Sequence, residues 1–101
     1  NALTIDGLAR QFGVARATLF RHFRRRFECS PKEYLERVRL NRARELLDDP
    51  TVQVKQAAYA CGFANPYYFS QAFRRRFGLS PEIWRKQHLR LAHAVHSQGN
   101  L

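Results

Sequence analysis

The pentapeptide Phe23-Arg24-Arg25-Arg26-Phe27 returns fifty residues further on as Phe73-Arg74-Arg75-Arg76-Phe77. The same offset carries Leu19 onto Phe69, Ser30-Pro31 onto Ser80-Pro81 and Tyr34 onto Trp84. Upstream the offset is forty-nine: Ile5 falls on Val54, Ala9 on Ala58, Gly13 on Gly62 and Val14 on Phe63. The second copy therefore holds one extra residue between Gly62 and Phe69. Two matched copies over most of a 101-residue chain call for two similar folding units. A solenoid is excluded, because stacked repeats need three or more copies to build a continuous core.

Each copy reads as a pair of helices. Ile5, Leu8, Ala9 and Phe12 follow helical spacing, and Gly13 supplies the left-handed turn that stops the helix. A second helix follows with Leu19, Phe23 and Phe27 on one apolar stripe. In the other copy Val54, Ala57, Ala58 and Cys61 make the first face, Gly62 turns the chain, and the second stripe is Phe69, Phe73 and Phe77. Asn65 suits the cap of that helix and Pro66 its first turn. Between the copies, Ser30-Pro31-Lys32-Glu33 has the form of a capping box. It opens a helix to about Asp48, with Tyr34, Leu35, Val38, Ala43, Leu46 and Leu47 apolar and Asp49-Pro50 as its end. Arg37, Arg39, Arg42 and Arg44 alternate there with Glu36 and Glu45 and read as surface ion-pair residues. After Ser80-Pro81 a last helix carries Ile83 and Trp84 and, further on, Leu89, Leu91 and Ala92.

No hairpin signal interrupts this pattern. The expected fold is all-α: two helix-turn-helix subdomains of homeodomain-like helices joined by a long central helix. Residues 1–30 form the first subdomain, 31–49 the linking helix, 50–92 the second subdomain with the final helix, and 93–101 a flexible tail. The start Asn1-Ala2-Leu3-Thr4 has neither a Met nor the basic and apolar regions of a signal peptide, so a fragment of a longer protein is expected. Cys29 and Cys61 lack CxxC spacing and read as reduced packing residues.

Charge says what such pairs are for. Eighteen Lys+Arg against 8 Asp+Glu leave a formal net charge of +10, which favours polyanionic partners. With the aromatic stripe inward, the first unit turns out Ala17, Thr18, Arg21, Arg24 and Arg25. The second turns out Pro66, Tyr67, Ser70, Gln71, Arg74 and Arg75. Residues near the start of a recognition helix reach base edges in the major groove. Arg21 suits guanine O6 and N7, and Gln71 suits adenine N6 and N7, each pairing worth ~1–3 kcal/mol of discrimination. Thr18, Tyr67 and Ser70 offer shorter contacts. Arg16, Arg24, Arg25, Arg74 and Arg75 read as phosphate contacts, which give affinity and salt dependence but no sequence choice. Phe20 fits either a core flank or a thymine-methyl contact.

The stretch "GVARATLFRHFRRRF…SPKEYLERVRLNRARELL…QAAYACGFANPYYFSQAFRRRFGLSPEIWRK" resembles the DNA-binding domain of the AraC/XylS family, over about residues 3–87. The resemblance implies two recognition helices in successive major grooves of one DNA face. It also implies a sequence-specific transcription regulator, usually an activator, with an effector or dimerisation domain elsewhere in its chain. The family's base-contacting places fall on Ala17, Thr18, Phe20 and Arg21, and on Pro66, Tyr67, Ser70 and Gln71. Partners so implied are double-stranded DNA, RNA polymerase and, through the other domain alone, a small-molecule effector. The implied setting is the bacterial cytoplasm, in association with the nucleoid. Departures from the family pattern are Ala15 and Ala64 at the helix caps, Glu28-Cys29 in place of a glycine-containing link, and a short Ala17.

Other classes find little support. His93 and His96 have a spacing compatible with a metal pair but no acidic or cysteine neighbour in sequence, and they read as part of a polar tail. His22 reads as a surface or DNA-edge residue rather than a general base. No Gly-rich phosphate loop, Ser/His/Asp set or paired carboxylate stands out. No apolar run is long enough to cross a membrane. No enzyme, cofactor, metal or membrane partner is therefore expected, the alternative being the DNA-binding module of a repair enzyme whose catalytic domain lies elsewhere.

Overall fold

The computed structural model describes residues 4–99, with side chains described through residue 91. Six helices and no strand occur among the described residues: α1 (Ile5–Phe12), α2 (Arg16–Arg26), α3 (Pro31–Leu46), α4 (Val54–Ala60), α5 (Pro66–Phe77) and α6 (Pro81–Gly99). The all-α expectation of two helix-turn-helix pairs and a long helix between them holds. Two compact units, Asn1–Asn41 and Arg42–Leu101, divide within α3.

In the first unit, Thr4 Oγ1 accepts from the Gly7 N–H at 2.9 Å and so caps α1. Gly13 then takes φ +68°, and its N–H donates to the Arg10 carbonyl while that of Val14 donates to Ala9. This left-handed turn is where a side chain would be strained. Ala9 is buried at the helix contact, and the core is Leu8, Ala9, Leu19, Phe23 and Leu35, flanked by Ile5 and Val14. The Phe23 ring meets Phe27 at 4.8 Å and Tyr34 edge-on at 5.4 Å.

The second unit repeats the plan with a tighter finish. Ala43, Leu47, Ala57, Ala58, Cys61, Phe63, Phe69, Ala72 and Phe73 are all buried. Burial pushes the Cys61 thiol up from its usual range, which keeps it neutral; Cys61 and Cys29 are both free thiols. Gly62 turns the chain at φ +93°. Asn65 Oδ1 accepts from the Tyr67 and Tyr68 N–H groups at 2.8 and 3.4 Å, with Pro66 in the first turn of α5. Both Ser-Pro starts are built alike: Ser30 Oγ accepts from the Glu33 N–H and Ser80 Oγ from the Ile83 N–H.

The two copies part at the end of the second helix. Gly78 takes φ +85° and caps α5, so Phe77 stays helical and half-buried with the Arg44 guanidinium 4.9 Å above its ring. Glu28 stands at the matching place, and a side chain is disfavoured in that left-handed region. Accordingly α2 stops at Arg26, and Phe27 is extended (φ −125°, ψ 149°) and 48% exposed. The expectation that Phe27 completes a buried stripe is therefore corrected. Phe12, expected among the apolar places of the first unit, is 59% exposed. Both phenyl rings border a hollow beside α2.

Other differences concern α3 and α6. Leu40 is buried although it was absent from the expected apolar face, while Ile83 and Leu91 are exposed. The backbone of α6 stays helical to Gly99, through most of the stretch expected as a tail. The side chains of Ala92, His93 and His96 lie outside the described residues. Arg85, which no sequence pattern singles out, donates from Nε to the Leu47 carbonyl at 3.2 Å and from its guanidinium to the Val52 carbonyl. It thereby satisfies one carbonyl just past the end of α3 and one in the link before α4.

These contacts set an order of sensitivity. Phe73→Ala is expected to cost about 3–5 kcal/mol, and Phe12→Ala less than about 1 kcal/mol, in denaturant unfolding. Equal losses at the two positions would contradict the burial pattern. Arg85→Ala is expected to cost about 1–3 kcal/mol by orphaning two carbonyls. A midpoint unchanged in Arg85→Ala would show that solvent satisfies those carbonyls equally well.

Candidate nucleic-acid interface

Burial of Leu19 and Phe23, and of Phe69 and Phe73, fixes which side of α2 and α5 faces outward. On α2, Ala17, Arg21, Arg24 and Arg25 are exposed, and Thr18 and Phe20 are half-buried. Arg21 stands on the ridge between two shallow hollows. One is lined by Ala17, Phe20, Arg21 and Arg24, the other by Thr18, Arg21, His22 and Arg25. The structure thus gathers all the expected residues of this helix except Arg16 around one side chain. Arg16 is exposed and lies 3.4 Å from the Asp6 carboxylate, an ion pair open to solvent on both sides. Such a pair is worth at most ~1 kcal/mol and yields readily to a competing anion.

On α5, Tyr67, Gln71, Arg74 and Arg75 are exposed, and Pro66 and Ser70 are half-buried. Tyr67, Gln71 and Arg74 follow the spacing that places side chains above one another on one helix face. Arg75 is held 5.8 Å above the Tyr68 ring, a cation–π contact that orients its guanidinium. Tyr68 was missed by the sequence reading, although its position two helical turns before Arg75 places both on one helix face.

The Arg triplets split. Arg24, Arg25, Arg74 and Arg75 belong to the outward faces, whereas Arg26 borders the hollow with Phe12 and Phe27 and Arg76 lies 5.4 Å over Phe77. The third Arg of each triplet serves its own unit. Neither α2 nor α5 contains an Asp or Glu, so neither outward face carries an acidic side chain. The cations in the last turns also complement the helix dipoles. Starts differ as well: α5 has its Asn65 cap, while Ala15 gives α2 no side-chain cap.

Among the described residues no group of three or more His, Cys, Asp or Glu is placed to hold a metal ion. No helix among them is long and apolar enough to cross a membrane.

The likeness to known proteins agrees with this arrangement. A helix-turn-helix domain family model matches residues 8–87. The transcriptional activator RhaS of Escherichia coli is 41% identical over 76 residues, which are 75% of this chain and 27% of RhaS. The chain spans only part of these curated relatives, 27% of RhaS and 31% of the Msm operon regulatory protein of Streptococcus mutans. A transcriptional regulator of Chromobacterium violaceum with an AraC-type DNA-binding domain superposes with a TM-score of 0.73 at 36% identity, over 83% of this chain and 75% of that one. The DNA-binding domain of AdpA, solved in complex with a target DNA, superposes with a TM-score of 0.72 at 30% identity, over 86% and 85% of the two chains. With its two aromatic-anchored helix pairs and a family match over most of its length, the chain belongs to the AraC-type helix-turn-helix family of transcription regulators.

Proposed function

We propose that this chain is the sequence-specific, double-stranded DNA-binding module of a longer regulator, with α2 and α5 lying in successive major grooves. The observation that carries the reading is the repetition of one device. Each unit has a helix anchored by a buried apolar stripe that includes a Phe, with polar or basic residues in its first half and a pair of outward-facing arginines in its second. In this reading Arg21 takes guanine and Gln71 takes adenine, each in bidentate fashion. Thr18, Ser70 and Tyr67 add polar contacts, and Ala17, Phe20 and Pro66 add apolar ones. Arg16, Arg24, Arg25, Arg74 and Arg75 hold phosphates, Arg16 by exchanging Asp6 for the duplex.

The domain plan in this reading has residues 1–30 and 50–92 as the two gripping subdomains and 31–49 as the segment that links them. The wider reading rests on the relatives, which are transcription regulators. It assigns RNA polymerase as a protein partner and a small-molecule effector bound outside this chain. It places the protein in the bacterial cytoplasm on the nucleoid, without catalytic activity of its own.

Two experiments separate the roles. Sites are selected from a random duplex library by the wild type, Arg21→Ala and Gln71→Ala. Each variant is expected to lose one base preference, worth ~1–3 kcal/mol, and to keep the rest. An unchanged consensus with uniformly weaker binding would falsify the base-reading roles. For Arg25→Ala with Arg75→Ala, affinity should fall by a similar factor on all sequences. The slope of log affinity against log salt should become shallower by ~0.9 per lost contact. A changed consensus with an unchanged slope would reverse the assignment.

A further inference from the structure

One ring on α2 lies outside the core of its unit. Phe20 is half-buried yet stands outside the cluster of Leu8, Ala9, Leu19, Phe23 and Leu35 that closes the first unit. The second unit has Ser70 at the same offset, so a helix pair of this design does not require an aromatic there. Phe20 instead borders a surface hollow of about 280 Å³ with Ala17, Arg21 and Arg24. A ring and a methyl group beside two arginines make a small apolar site on an otherwise cationic face. Leaving that surface in water is unfavourable at roughly 25 cal/mol per Å², which points to an apolar occupant. The flanking cations point to a polyanion as its carrier.

We propose that this hollow receives a pyrimidine 5-methyl group, that of thymine, on the base pair next to the guanine taken by Arg21. The inference rests on α2 being a recognition helix. In the major groove the C5-methyl of thymine is the one apolar feature that base edges present. The short Ala17, one helical turn before Arg21, leaves space for it, and a longer residue would fill the hollow. Arg21 borders the same hollow, so the methyl and the guanine belong to neighbouring base pairs. A cytosine amino group in that place would be desolvated against the ring without an acceptor. At this matched position the two units therefore read by different chemistry: the first by the apolar Phe20, the second by the polar Ser70.

Replacing thymine by deoxyuracil tests this, because the change deletes the methyl alone. A consensus site is first selected, and the guanine recognised by Arg21 is located as the position whose preference Arg21→Ala loses. Each consensus thymine is then changed singly to deoxyuracil and binding is measured at fixed salt. At the thymine beside that guanine, affinity should fall about fourfold, the value of one buried methyl. Cytosine there should bind more weakly, and 5-methylcytosine should recover a similar factor over cytosine. In Phe20→Ser, which copies the second unit, both differences should vanish, with helix content and melting checked; Phe20→Leu should keep part of each. Equal binding of thymine and deoxyuracil by the wild type overturns the proposal, as does 5-methylcytosine binding no better than cytosine. A selected site with no thymine beside the guanine also overturns it. Selection that yields no consensus overturns the base-reading assignment itself, which is a separate failure.

Discussion

The burial of Phe23 and Phe73 sets the rotation of each recognition helix, and everything outward follows from it. Both rings are all but inaccessible to solvent, and each meets a neighbouring aromatic ring on the next helix, Tyr34 or Trp84. With about 100° between successive residues, anchoring one stripe leaves no freedom for the opposite one. A quarter-turn of α5 would expose Phe69 and Phe73 and bury an unpaired guanidinium, and both changes are costly. Arg21 and Gln71 therefore need no second structure to orient their backbones. The core does so, and their side chains remain available to a ligand.

The two units use this constraint with unequal firmness. The second has an Asn65 cap, a glycine stop and a guanidinium over Phe77, and its Arg75 is steadied by Tyr68. The first starts α2 without a side-chain cap and ends it on an exposed Phe27. The difference traces to two positions, Ala15 in place of a capping residue and Glu28 in place of glycine. α5 is thus the more fully capped of the two helices.

Much of this was legible in the sequence. The fifty-residue offset and the Gly13 and Gly62 turns follow from local chemistry, as do the Asn65 cap and the two Ser-Pro starts, and all appear as expected. The outward positions of Arg21, Gln71 and the four paired arginines followed from helical period alone. What escaped depends on the third dimension. Periodicity places Phe27 on the stripe but does not register that α2 ends one residue early. Phe12 has core spacing, yet it faces the hollow it shares with Phe27. Leu40 is buried through its place along α3, and Arg85 acts through backbone carbonyls 38 and 33 residues away. Tyr68 lies on the recognition helix but serves a neighbouring guanidinium, a role that base-contact reasoning does not search for.

The proposed function has one duplex gripped twice, by α2 and by α5. Hydroxyl-radical footprinting together with methylation interference on a selected site tests it directly. The account predicts two patches of major-groove interference about one helical turn apart, ~10 base pairs, on a single face of the DNA. A single patch, or protection spread evenly around the helix, would contradict it.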